Sequence, residues 1–307
     1  MMKKISLLLI LAMCFSLTYA QDDEGDQQQD DQQQEEQKEG WTHSGNFSLI
    51  FNQAAFNADW QDGGTSNYAG NLSLDYAANY KEGRLSWDNS LIAEFGLTKI
   101  KGDDFMRKTN DQLELNSVLG YQVEEGSRWY YSFFGNFKTQ FAKGYEYNED
   151  VGGERIETTG FMSPGYLKFG PGMLYKNDEI LKINIAPATA RFIFVDDKFT
   201  TVPGYEDGDY YGLDRGKSMR FEFGASVDIV SKVALLENVD LKNRLSLYSN
   251  YLEDPQNVDI DYTMKLDMKI NEFLSANFVF QAIYDDNTVT AFQIREALGV
   301  GFSYKLK

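Results

Sequence analysis

LSLDYAANY, residues 72–80, sets Leu72, Leu74, Tyr76, Ala78 and Tyr80 on one parity and Ser73, Asp75, Ala77 and Asn79 on the other. A period of two belongs to a β-strand, whose successive side chains point to opposite faces. The same rhythm returns twelve times after residue 45, at 46–53, 69–80, 85–97, 113–123, 129–140, 165–175, 180–194, 217–230, 239–251, 257–270, 273–284 and 292–306. Most of these runs reach the roughly 9–11 residues that a tilted strand needs to cross a bilayer. No apolar run after residue 20 approaches the roughly 18 residues of a spanning helix.

The connections alternate in length. Lys81-Glu82-Gly83-Arg84, Glu124-Glu125-Gly126-Ser127, Lys176-Asn177-Asp178-Glu179 and Asn271-Glu272 are tight turns carrying Gly, Asn or Asp where a positive φ is required. Between them lie long connections at 54–68, 98–112, 141–164 and 195–216, and two short ones at 252–256 and 285–291. Long loops on one side and tight turns on the other predict an all-β, up-and-down antiparallel transmembrane barrel with its tight turns toward the periplasm. An even strand number returns both termini to that periplasmic side.

A soluble sandwich also alternates, with its apolar face turned inward. Three features put the apolar row against lipid instead. It persists through Val258, Ile260, Tyr262, Met264, Leu266, Met268 and Ile270. Aromatic residues gather at strand ends (Tyr80, Trp87, Trp129, Tyr175, Tyr251, Tyr284), where amphipathic rings settle at headgroups. The chain closes on Leu298, Val300, Phe302, Tyr304 and Leu306, in the pattern of a C-terminal signal for the outer-membrane assembly machinery, with Lys307 after it.

The N-terminal region assigns the compartment. Residues 1–20 read as a signal peptide: Lys3 and Lys4, an apolar Ile5–Met13, then Thr18-Tyr19-Ala20. Cys14, the sole cysteine, lies inside it and follows Met13, which is too large for a lipoprotein site. Residues 21–40 hold nine acidic residues and one Lys with no large apolar side chain, the composition of a disordered periplasmic tether. The barrel is then 41–307. Of the formal charge of −18, removal of Lys3 and Lys4 leaves −20, with −8 on the tether and −12 on the barrel. That balance excludes nucleic acid as a partner.

Opposite parity to the apolar row defines the barrel interior. Asp75, Asp88, Glu94 and Glu114 make an acidic wall, and Lys138, Lys168 and Lys182 a basic one. The remaining strands mix Arg220, Lys242, Arg244, Lys265 and Arg295 with Glu222, Asp228, Asp240, Asp259, Asp261 and Asp267. Twelve strands fall between a side-chain-filled barrel of eight and an open one of sixteen. Two interiors fit: a narrow hydrated passage with a transverse field, or walls tied by salt bridges.

Catalytic candidates are few. One His and no mature Cys exclude Cys/His chemistry and multi-His metal sites. An outer-membrane phospholipase needs a Ser/His pair on the wall toward the exterior, whereas His43 precedes the first expected strand at the other end. No cofactor is expected. The acidic loop residues Glu146, Glu149, Asp150, Glu154 and Glu157, and Glu206-Asp207-Gly208-Asp209, read as solvated surface; a divalent-cation loop would need more converging oxygens. Trp60 is expected to pack its loop on the rim.

Six stretches, NFSLIFNQAAFNADWQDGG (46–64), YKEGRLSWDNSLIAEFGLTK (80–99), RKTNDQLELNSVLGYQ (107–122), WYYSFFGNFKTQFAKGY (129–145), LYSNYLEDPQNVDIDY (247–262) and REALGVGFSYKL (295–306), resemble a family of Bacteroidetes outer-membrane proteins known only as a domain of unknown function. The resemblance implies an outer-membrane barrel and no activity. The expectation is therefore a non-enzymatic barrel in the outer membrane, bounded by its lipid. Its role is a narrow passive channel for small hydrophilic solutes or, alternatively, a non-conducting barrel serving an envelope partner protein.

Overall fold

The computed structural model describes residues 39–57, 59, 64–148, 154–177 and 180–306. The expected signal peptide, all of the tether before Glu39, and Trp60, Glu149, Asp150 and Lys307 lie outside the described residues.

Among the described residues fourteen strands follow in order: β1 (Gly40–Ala54), β2 (Asn67–Glu82), β3 (Leu85–Ile100), β4 (Arg107–Gln122), β5 (Trp129–Thr139), β6 (Gly144–Asn148), β7 (Glu154–Thr159), β8 (Gly165–Asn177), β9 (Leu181–Phe194), β10 (Met219–Leu236), β11 (Val239–Asn250), β12 (Asp259–Lys269), β13 (Leu274–Asp285) and β14 (Val289–Leu306). Twelve of them close an antiparallel barrel, in which each pairs with its sequence neighbours and β5 pairs with β8 across the β6–β7 hairpin. The seam is β1 against β14, from Gly45 opposite Leu306 to Phe51 opposite Val300. All twelve expected strands are present. No helix among the described residues is long and apolar enough to cross a membrane.

Two differences from the sequence reading have local causes. β1 begins at Gly40, not 46, so residues 40–45 belong to the wall. The stretch Gly40–Gly45 is polar on both parities apart from Trp41, and its strand form comes from the ladder that pairs Gly40 with Lys81 and Gly45 with Tyr76. His43 accordingly sits within β1, opposite Ala78, and not ahead of the first strand. The second difference is β6–β7, a separate two-stranded sheet inside the expected 141–164 loop.

The tight turns form as their residues require. Gly83 and Gly126 adopt φ of +52° and +79°, values that cost a residue with a Cβ. Asn271 Oδ1 accepts from the backbone N–H groups of Phe273 (2.9 Å) and Leu274 (2.8 Å), closing the β12–β13 turn.

The outer face is the apolar row. Phe47, Leu49, Phe51, Leu115, Leu119, Phe133, Phe221, Leu298, Val300 and Phe302 all stand exposed, Leu298 by 66%. In water so continuous an apolar surface is an aggregation hazard; in hydrocarbon it is what the wall of a barrel must present. At the tight-turn end, where β1 begins and β14 ends, an aromatic belt forms. Trp41 packs on Tyr80 and Trp87 at 5.3 and 5.6 Å between ring centroids, and the Tyr76 hydroxyl lies 2.9 Å from His43 Nδ1.

Candidate functional site: the barrel interior

The inward parity carries the charges, and the fold brings them together across the barrel. Around the ring of twelve, β4 and β11 stand five strands apart by the shorter way, as do β5 and β12, and β3 and β12. Yet Glu114 on β4 pairs with Arg244 on β11. Lys138 on β5 meets Asp261 on β12 at 2.7 Å, and Glu94 on β3 meets Lys265 on β12 at 2.6 Å. A circular ring of twelve strands spaced about 4.8 Å apart is roughly 18 Å across before tilt widens it. That exceeds what an arginine and a glutamate span end to end. The wall is therefore drawn inward between β3–β5 and β11–β12, and its interior is crossed by side chains.

Each expected acidic residue of β2–β4 is answered by a base from elsewhere. Asp88 holds both Lys176 and Lys182 at 2.9 Å. Glu94 takes Lys265 and, at 3.8 Å, Arg295, while Lys265 stands 3.7 Å from Asp75. Glu114, 3% exposed, also accepts from Gln112 Nε2 and Asn136 Nδ2, both at 2.7 Å. Lys168 donates to Ser246 Oγ at 3.0 Å, and Lys242 pairs with Asp267 at 2.8 Å on the neighbouring strand. Asp88–Lys182 joins the acidic wall to the basic one directly, and the mixed strands answer the rest through Arg244, Lys265 and Asp261, which reduces the transverse field that the separation of the walls along the chain implies.

One central residue escapes a period-two reading. Arg191 shares parity with the outward Ile183 and Ile185 of its own strand, yet it is 5% exposed and faces inward. The phase reverses because β9 carries one residue more than either neighbour: Ile185 and Ala190 face Met173 and Phe169 on β8, and the β10 pairing shifts between Gly224 and Ser226. A bulge of this kind swings every later side chain to the other face. Its trace in the sequence is Pro187, which lacks the N–H an interior strand position donates.

Arg191 organises the long-loop end of the interior. It pairs with Asp259 on β12, with Asp285 on β13 at 3.3 Å and with Glu222 on β10 at 3.5 Å, between the rings of Tyr166 and Tyr248. Arg220 reaches Glu222 at 3.0 Å and Glu253 at 2.6 Å.

Above this layer the loops close in. The 195–216 loop buries Leu213 against Ile193 and Val195 and lays Tyr211 edge-on to Tyr166. Tyr210 donates to the Thr158 carbonyl at 2.6 Å, and Glu157 accepts from both Lys143 and Lys198 at 2.8 Å, tying the β6–β7 hairpin to that loop. Those two hydrogen bonds hold the Glu157 carboxyl below its ordinary range; burial pushes the Tyr211 hydroxyl up to about 12. Asp207 and Asp209 spend a carboxylate oxygen each on the backbone N–H groups of Arg215 and Glu206, both at 2.7 Å.

Among the described residues no serine hydrogen-bonds to His43, whose Nδ1 faces Tyr76 at the tight-turn end of the wall.

Residues 51–145 match a family described as "Protein of unknown function (DUF3078)", a stretch that takes in the quoted segments from 80 to 145 and stops short of 247–262 and 295–306. No curated protein matches the sequence. Among solved structures, the translocator domain of the autotransporter NalP from Neisseria meningitidis is similar at 10% identity and a TM-score of 0.40, over 88% of this chain and 89% of that one. The COG4313 outer membrane channel from Pseudomonas putida F1 is similar at 10% identity and 0.37, over 87% and 95%. Outer membrane phospholipase A from Escherichia coli is similar at 10% identity and 0.34, over 85% and 89%.

Proposed function

We propose that this chain is an integral outer-membrane barrel whose interior is locked, and that it serves as a non-conducting structural or assembly element of the envelope. The observation that carries this is the set of ion pairs joining opposite walls: Glu114–Arg244, Lys138–Asp261 and Glu94–Lys265. An open channel keeps its wall charges hydrated and apart, whereas here they meet in the middle. In this reading the termini face the periplasm, the apolar row meets outer-membrane lipid, the terminal strand engages the outer-membrane assembly machinery during biogenesis, and an envelope partner protein uses the loops or the N-terminal segment.

A narrow passive channel for small hydrophilic solutes is the second reading. It is favoured by the Lys138–Asp261 and Lys242–Asp267 pairs, whose side chains keep roughly a third of their surface accessible inside the barrel. Planar-bilayer recording separates the two. The locked barrel gives no discrete conductance steps, and reproducible steps from the wild-type protein establish the channel. Co-purification from native membranes in mild detergent tests the envelope partner, and a chain that elutes alone counts against it.

A further inference from the structure

We propose a hard divalent-cation site, with Ca2+ as its probe, at the long-loop end of the barrel, built by Asp259 on β12, Asp285 on β13 and Asp286 in the turn that follows. One carboxylate oxygen from each lies within 4.8 Å of the other two. Three carboxylate oxygens that close together can reach one hard cation, whose bonds to oxygen run about 2.0–2.6 Å. The ligand atoms are all oxygens, the set that selects a hard cation.

Two observations beyond the cluster point to a ligand. Tyr248 is 3% exposed, and its hydroxyl has no hydrogen-bond partner among the described residues. It is paired across strands with Asp259, and its ring lies against the Arg191 guanidinium that contacts Asp259 and Asp285. A buried hydroxyl without a partner is costly, and a cation or its bound water supplies one. The other observation is charge. Both carboxylate oxygens of Glu222, 1% exposed, have no hydrogen-bond partner among the described residues, and against the four carboxylates Glu222, Asp259, Asp285 and Asp286 the ion pairs found there set two guanidinium groups, Arg191 and Arg220. Even leaving the exposed Glu253 aside, two negative charges stand uncompensated where water is scarce, a condition that a divalent ion removes. Asn257 Nδ2 holds Asp286 Oδ2 at 2.5 Å, orienting the one carboxylate that no arginine contacts.

Bound there, the ion ties the start of β12, the end of β13 and the β13–β14 turn together. The site stands whether or not the barrel conducts. The test is isothermal titration of CaCl2 into the purified full chain in detergent after chelator treatment. One saturable site is expected, with Kd on the order of 10⁻⁴–10⁻³ M, the range of extracellular modules. Asp286→Asn, at a half-buried residue outside the arginine pairs, is expected to weaken it at least tenfold and to leave the β-sheet circular dichroism unchanged. Asp207→Asn with Asp209→Asn is expected to leave it intact. Absence of saturable binding up to about 10 mM, well above that range, overturns the proposal. So does binding that survives Asp286→Asn, or binding lost with the Asp207 and Asp209 substitutions instead.

Discussion

Arg244→Met is the sharpest perturbation of the locked interior. The guanidinium it removes contacts Glu114 and, at 3.0 Å, Asn116 Oδ1 across the barrel. Glu114 is then left 3% exposed with a charge that no arginine answers. Breaking a buried pair by deleting one partner costs about 3–5 kcal/mol. Gln112 and Asn136 still donate to the carboxylate at 2.7 Å, which puts the expected loss at the lower end, near 3 kcal/mol. Removing the charge as well, in Glu114→Gln with Arg244→Met, is expected to recover most of that loss, because neutral groups of similar volume replace buried pairs at little cost. A double-mutant cycle measured by urea unfolding from lipid vesicles therefore predicts a coupling of roughly 3 kcal/mol. The doubly substituted barrel should also pass ions in a planar bilayer more readily than the parent, since its opposite walls are no longer tied at this level. Coupling below about 0.5 kcal/mol, typical of a solvent-exposed pair, would refute the reasoning: the two walls would then not be held together by charge.

Three further outcomes follow from the same structure. Leu115→Arg, on the outer row near the middle of β4, should cost about 2–4 kcal/mol in a bilayer, and an effect near zero would mean that this face does not meet lipid. A Cβ at Gly301 would come within 2.0 Å of the Leu49 carbonyl across the seam, whereas one at Gly70 meets nothing within 4 Å. Gly301→Ala is thus expected to cost about 1–3 kcal/mol by overpacking and to lower the temperature at which the heat-modifiable gel band unfolds, with Gly70→Ala unchanged as the control. Glu157, whose folded-state pKa is depressed by Lys143 and Lys198, lends stability to the hairpin–loop contact above its ordinary carboxylate pKa and loses it as the pH falls through the lower folded value. Hydrogen exchange should show β6–β7 and the 195–216 loop loosening together in acid, and Glu157→Gln should reproduce that at neutral pH; independent loosening of the two would break the argument.

The barrel itself was legible along the chain because a wall with lipid on one side and charge on the other imposes strict alternation on every strand. Tight turns identified by Gly83, Gly126 and Asn271 then gave the connectivity. What escaped had one of two physical causes. Where both parities are polar, as over Gly40–Gly45, no periodicity marks a strand, and only pairing with β2 makes one. Where the backbone carries an extra residue, as in β9 around Pro187, alternation continues in the sequence while the side chains change faces in space. Arg191, the residue around which the long-loop end is organised, fell on the wrong parity for that reason. Asp285 and Asp286 lie beyond the expected end of their strand, in the expected 285–291 connection.

The interior followed the same division. Its composition was determined by the sequence alone, since inward positions must be hydrophilic once the outward ones are given to lipid. Whether those charges enclose water or grip each other was decided only by the tertiary structure. Partners such as Glu114 and Arg244 lie 130 residues apart in the chain, and their meeting depends on the curvature of the whole ring, a quantity that no local pattern encodes.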